Sequence, residues 1–380
     1  IPLKRILETA LQSGAFERLE GALGRGEGSA TVSGAAGGAK ALVLAGAALR
    51  GRRPLAVITS SGAEAQTLAE ELRFFLDLLA PAPPEVVHLP ELEVDPYRGL
   101  SPHPEIAAAR ARALWRLLQD TPAVLVASAK AAAVRMHSPE RFLAGCLSLA
   151  EGEELSPELV CAHLREAGYL EDDPVTDPGE FSLRGGILDL FPPNLDRPVR
   201  LEFFGDQIDS MRLFDPDSQR STARAGALQV VPMREYCPGP GRLRRWAEEA
   251  PALWRAPFLP HLEEELALAR HGEPFPAFEF LLPAVDPLQH TLFDYVRGSR
   301  LALVEPEAVR HALERHHAAL YERFVDRTEA QKPVLAPERL SVAVDDFFAG
   351  LESFDRLELE ELGVAGPEAS RIYVSSQPTR

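Results

Sequence analysis

The sequence has little of what builds disulfide frameworks or metal centres. Its 380 residues hold three cysteines, Cys146, Cys161 and Cys237. An odd number without the short spacings of a zinc site points to neither. Such usage suits a reducing compartment, and a cytoplasmic location is the expectation. No apolar run approaches the length of a bilayer span, so no membrane-spanning helix and no membrane partner are predicted. Positive charge is in short supply: 40 Lys and Arg stand against 57 Asp and Glu, a formal net charge of −17. Tight binding to nucleic-acid phosphates draws on Lys and Arg that displace counterions, so DNA is not the expected main partner. A starting Met is missing, and IPLKRILETALQSGAFERL reads as an amphipathic helix with acidic residues, not as a signal peptide. With SSQPTR at the other end, the sequence reads as a piece of a longer protein.

What is present is ordinary globular material, 46% hydrophobic and 26% charged, enough for two or three domains. From about residue 31 to 135, β-type runs (PLAVITSS, EVVHLP, AVLVASA) alternate with helix patterns (AKALVLAGAAL, AEAQTLAEELRFFLDLL, PEIAAARARALWRLLQ). That alternation predicts a parallel sheet covered by helices. Near Ser138 the character changes. SPELVCAHLREAGYL predicts a helix capped by Ser156 with Pro157 in its first turn. Short strands separated by Gly, Pro and Asp turns follow, a small and mostly antiparallel unit. From about 223 the α/β character returns: VVPMREY reads as a strand, RLRRWAEEAPALW and LPHLEEELALARHG as helices, and SRLALVEPEAVRHALERHHAALYERF as strand, turn and long helix. The expected division is 1–135 and 223–355 as two parts of one domain, 136–222 as an insert, and 356–380 as a linker.

One stretch has the layout of a phosphate-binding loop. In SATVSGAAGGAKALVLAGAAL, Gly34 opens the pattern and Lys40 takes the lysine position, but Ala39 replaces the second required glycine and Ala41 replaces the magnesium-binding hydroxyl. A working loop cradles phosphates with backbone N–H groups at a helix N-terminus. Ala39 adds a Cβ where the backbone must approach closely, and Ala41 removes the metal ligand, so a glycine-rich turn without ligand is the favoured reading. The acidic partner motif is altered in parallel. Strand Leu301 to Val304 ends in Glu305-Pro306, where Glu305 can supply a carboxylate and Pro306 cannot act as a base. The matched losses point to a decayed ATPase fold.

No other catalytic set emerges. His311, His316 and His317 lie on a helix pattern without the i, i+4 spacing of a His-Glu-x-x-His zinc site. Asp95 and His103 lack a nucleophile to complete a constellation, and the acidic run LEEEL reads as an exposed helix face. The β-rich unit carries a different signal. Strand alternation in Val199-Arg200-Leu201-Glu202-Phe203-Phe204 sets Arg200, Glu202 and Phe204 on one face. In Phe181-Ser182-Leu183-Arg184, Arg184 faces outward beside a Gly-Gly turn. An exposed aromatic near arginines is the composition of a protein-binding hot spot. The competing possibility is that Phe204 turns inward before Gly205 and the arginines pair with local acids.

PGEFSLRGGILDLFPPNLDRPVRLEFFGDQIDSMRLFDPDSQRS closely resembles the UvrB-homology module of bacterial transcription-repair coupling factors, the Mfd family. LPELEVDPYRGLSPHPEIAAAR and LAPERLSVAVDDFFAGLESF extend the resemblance over nearly the whole chain, to about residue 360. UvrB itself shares the same logic, but keeps an intact phosphate loop, an Asp-Glu motif and a long tyrosine-rich hairpin where this chain has GLSPHPEI. The resemblance implies an α/β fold: a degenerate P-loop, RecA-like helicase-type domain interrupted by a small β-rich α+β insert. It implies a non-catalytic module whose insert binds the excision-repair protein UvrA through Arg184, Arg200 and Phe204, with Arg200 expected to be exposed. It also implies that ATP, magnesium, RNA polymerase and double-stranded DNA are handled by other domains of an ATP-dependent translocase. A UvrB-type damage-verification helicase is the alternative.

Overall fold

A computed structural model describes residues 2–24, 29–51, 53–362 and 371–373. Two helices, Pro2–Leu11 and Gly14–Gly24, come first. Four strands then alternate with helices: β1 (Ser29–Ser33), β2 (Leu55–Thr59), β3 (Glu85–Leu89) and β4 (Ala123–Ser128). A β-rich unit follows, with β5 (Leu147–Ala150), β6 (Leu170–Glu171), β7 (Glu180–Arg184), β8 (Ile187–Leu190), β9 (Val199–Phe204), β10 (Gln207–Phe214), β11 (Ser221–Arg224) and β12 (Ala227–Val230). The chain then returns to the first sheet with β13 (Arg300–Val304), β14 (Arg356–Glu360) and β15 (Arg371–Tyr373).

The large sheet has the order β15-β1-β14-β13-β2-β4-β3, and every pairing is parallel. Parallel strands need crossovers, and here the helices cover both faces. All five residues of β2 are buried. Alternation sends Leu55 and Val57 into a core with Leu44, Leu68 and Leu72 of the helices Gly38–Arg50 and Gly62–Leu79. Ala56 and Ile58 enter the opposite core, with Leu114, Val309, Leu313 and Phe347. Because β13 and β14 lie between β1 and β2, the segments before and after the insert complete one another's sheet.

Two sequence expectations need correction here. Residues 356–380 were expected to be a linker, yet Arg356–Glu360 is a strand inside the sheet, between β1 and β13, with Leu357 and Leu359 fully buried. Residues 363–370 and 374–380 of that stretch lie outside the described residues. VVPMREY is not a strand. The strand is β12, which ends at Val230, the first residue of that stretch; it pairs antiparallel with β5 and so belongs to the β-rich unit.

In the insert, β11-β10-β9-β8-β7-β6 form one sheet, antiparallel except for the β6–β7 pair. Its inner face packs Phe181, Leu188, Leu201, Ile208 and Met211 against Val160, Cys161 and Leu164 of helix Pro157–Glu166. Ser156 caps that helix, its hydroxyl accepting from the Leu159 N–H at 3.3 Å. The segment from 236 to 285 builds a further core around Trp246, Trp254, Phe275 and Phe278. The insert is tied to the large sheet by a buried charge. Arg110, on helix Pro104–Leu117, donates to both Glu235 oxygens at 3.0 and 3.2 Å and to the Pro90 carbonyl at 2.6 Å. Nearby, the Trp115 indole donates to Gln229 at 2.7 Å.

Candidate partner-binding face and degenerate nucleotide loop

The glycine-rich loop joins β1 to helix Gly38–Arg50 as expected. Gly34 and Gly37 have positive φ, 89° and 52°, a conformation that costs glycine little. The Gly34 N–H donates to the Glu360 carbonyl at 2.9 Å. The Ala39 and Lys40 N–H groups, the donors a phosphate would need, bond within the turn to the Ala36 and Gly37 carbonyls at 3.1 and 3.0 Å. Ala41 is fully buried in the sheet–helix core. The Lys40 ammonium lies 2.8 Å from Glu305 Oε1 and 3.7 Å from Glu361. Glu305 follows β13 with φ 53°, and its Oε1 also accepts the Glu361 N–H at 2.8 Å. The two altered motifs therefore meet in space, and the lysine faces a carboxylate of its own chain.

The residues set aside above have structural work. Asp95 accepts from the Tyr97 N–H at 3.0 Å and lies 3.4 Å from Arg323. His103 caps helix Pro104–Leu117, its Nδ1 accepting from the Glu105 N–H at 3.4 Å. His317 Nε2 lies 2.6 Å from the Val342 carbonyl and His311 Nδ1 lies 3.1 Å from Glu314. Among the described residues, no group of three or more His, Cys, Asp or Glu is placed to hold a metal ion, and no helix is long and apolar enough to cross a membrane.

On the insert, the strand registers set Arg184 opposite Ile187, Asp189 opposite Arg200, and Ile187 opposite Glu202. Phe204 ends β9 opposite Gln207 at a turn through Gly205, whose φ is 61°. It points outward and is 82% exposed. Ile187, opposite Glu202 on the same face, is also exposed. An aromatic left this open on the surface is the informative exception to burial.

The two arginines differ from each other. Arg184, half exposed, bridges Asp173 Oδ1 and Asp189 Oδ2, both at 2.9 Å. Arg200 is not the exposed residue the alternation implied: its side chain is only 20% accessible. It forks onto Asp189 through Nε at 2.6 Å and Nη2 at 2.8 Å. It also stacks over the Phe214 ring, 4.8 Å from the centroid. The hydrogen bond from Arg200 to Asp189, ahead of the opposing effect of burial, raises the guanidinium's already high pKa. Asp189, 1% exposed, is the residue that sequence reasoning missed. Its signal was there: in Ile187-Leu188-Asp189-Leu190 alternation sets Asp189 on the outer face. Phe214, the ring under Arg200, sits at a bulge between Leu213 and Phe214 that no periodicity announces.

Comparison with known proteins places this architecture. The family described as the UvrB interaction domain matches residues 147–236. The chain is 31% identical over 330 residues to the transcription-repair-coupling factor of Escherichia coli (strain K12), an overlap of 85% of this chain and 28% of that protein. With the transcription-repair-coupling factor of Myxococcus xanthus the identity is 33% over 346 residues, again 85% and 28% of the two chains. The UvrABC system protein B of Chlorobaculum tepidum is 29% identical over 237 residues, 60% of this chain and 34% of that one. A parallel, helix-flanked sheet interrupted by a UvrB interaction domain defines a UvrB-homology module. The chain belongs, as such a module, to the transcription-repair-coupling factors, and it spans about 28% of the length of the first two such relatives.

Proposed function

We propose that this chain is a recruitment module of transcription-coupled repair that binds UvrA through the outer face of its insert, and that it does not itself turn over ATP. The observation that carries the binding half is Phe204, 82% exposed at the end of a strand whose other outward residues are charged. Aromatic side chains flanked by arginine dominate protein–protein hot spots. Arg184 keeps donors free to form charge-assisted hydrogen bonds to carboxylates on UvrA, Arg200 lends the neighbouring guanidinium, and Phe204 fills an apolar pocket between them. The matching family description and the relatives' names support UvrA and the repair context as the setting.

The Lys40–Glu305 contact supports the non-catalytic half. A lysine committed to a carboxylate at 2.8 Å cannot also neutralise a nucleotide's phosphates without giving that partner up. With Ala41 in place of a hydroxyl, the module holds no magnesium–ATP. In this reading ATP, magnesium, double-stranded DNA and RNA polymerase belong to other domains of a cytoplasmic translocase. Titration of immobilised UvrA with the purified chain tests the proposal. Saturable binding that Phe204→Ala weakens at least tenfold supports it, and binding unaffected by that change sinks it.

A further inference from the structure

We infer that Asp189 is a positioning residue for the partner surface: its buried carboxylate holds Arg184 and Arg200 as one fixed array of donors, so that the surface reads the geometry of acceptors on an acidic protein partner and not net charge. The inference rests on the reading that this face binds UvrA.

The geometry is specific. Arg200 alone occupies both oxygens of Asp189, Nε on Oδ1 at 2.6 Å and Nη2 on Oδ2 at 2.8 Å. That fork is enough to satisfy a buried carboxylate. Yet Oδ2 takes a second guanidinium, from Arg184 at 2.9 Å. Arg184 is half exposed and sits at the edge of a Gly185-Gly186 turn, where a long side chain is ordinarily free. Asp173 holds its other terminal nitrogen at 2.9 Å. Phe214 supplies a flat floor under Arg200 at 4.8 Å. Two arginines are thus fixed before any partner arrives. Ordering such a side chain at an interface carries an entropic cost, and here that ordering is done in the free protein. Asp189 and Asp173 also offset the charge of the pair, so simple attraction is blunted, and the remaining terminal nitrogen of Arg200, Nη1, reaches the Gln219 carbonyl at 3.5 Å.

Asp189→Asn separates geometry from charge because the two pull in opposite directions. The change adds a unit of positive charge to the face, which by attraction alone tightens binding to an acidic surface. If Asp189 positions the arginines, affinity for UvrA instead falls about tenfold, the size of a lost preorganised contact. Arg184→Gln weakens binding as well, and in the double variant the two losses do not multiply, because both act through one group. Tighter binding by Asp189→Asn, or fully multiplicative losses, overturns the inference. A readout on the unaltered chain guards against misfolding of the variant. The Arg184 and Arg200 Nε–H groups give ¹⁵N relaxation as rigid as the backbone before UvrA is added, and flexible signals overturn the inference too. Phe204→Ala, run alongside, reports on the UvrA reading separately. If it leaves binding intact, that reading fails, whatever the relaxation data show for Asp189.

Discussion

Lys40, in the first turn of helix Gly38–Arg50, and Glu305, just past β13, are 265 positions apart in sequence and meet at 2.8 Å. One stands where a nucleotide-binding lysine belongs and the other where a metal-binding acid belongs. Their contact is a strut between the first turn of helix Gly38–Arg50 and the end of β13. Calorimetry with magnesium–ATP is expected to show no binding in the micromolar range. Glu305→Ala is expected not to restore it, since Ala41 still offers no metal ligand. Lys40→Ala is expected to cost about 1 kcal/mol in chemical denaturation, as befits a partly screened pair, and to leave UvrA capture unchanged. Micromolar nucleotide affinity in the unaltered chain would overturn this account.

Phe204 gives the cleanest separation of binding from folding. Its ring is almost wholly in solvent, so Phe204→Ala removes little buried area, and unfolding free energy is expected to shift by no more than about 0.5 kcal/mol. At a hot spot the same truncation costs on the order of 2 kcal/mol in binding. Paired denaturation and binding measurements check both numbers. A large stability loss would mean that the ring packs against something in solution.

Arg200→Glu, which strand alternation alone recommends as a harmless surface probe, is expected to damage the fold. It sets a second carboxylate beside Asp189 and strips that buried group of its two-point fork, leaving it only the half-exposed Arg184. Breaking a buried pair from one side costs about 3–5 kcal/mol. Thermal melts are expected to show a marked drop for Arg200→Glu and a smaller one for Arg184→Glu, whose side chain is half exposed. Equal, negligible losses would contradict the burial seen at Arg200.

These residues also mark how far the sequence reaches. Periodicity found the alternating α/β frame, because a parallel sheet covered on both faces writes continuous apolar runs such as Leu55–Thr59. It placed Arg184, Arg200, Glu202 and Phe204 on one face, since side chains alternate with a fixed period of two. It did not show that Phe214 lies beneath Arg200, because that depends on a bulge in a neighbouring strand. The strand Arg356–Glu360 was legible after all: Leu357-Glu358-Leu359-Glu360 alternates, but its charge reads as solvated tail until β1 and β13 flank it. The contact between Lys40 and Glu305 needed the order of the whole sheet, which local pattern does not carry.

Burial depresses three histidines and so makes stability depend on pH: His88, aided by Arg73, and, with larger shifts, His137 and His316. His137 is buried beside Tyr236, and His316 lies on helix Pro306–Glu329. Burial, aided by Arg141 at His137 and by Lys130 at His316, pushes both down from 6.5 to about 4. A histidine depressed in the folded state favours folding fully above its ordinary value. That contribution fades as pH falls from 6.5 towards 4, where the unfolded chain takes up protons that the folded chain refuses. Asp286, 3.9 Å from His137, opposes the shift at His137 without reversing it. Burial alone would raise Asp286, but its hydrogen bond and charge pairing with Arg141 keep it below the usual carboxylate range, so its own loss comes at lower pH still. Each histidine is expected to remove on the order of 2 kcal/mol between pH 7 and pH 4.5. Urea denaturation at those two values checks the total. In His137→Gln and in His316→Gln the difference between the two values is expected to shrink, and a flat profile in the unaltered chain would show that neither imidazole is held neutral.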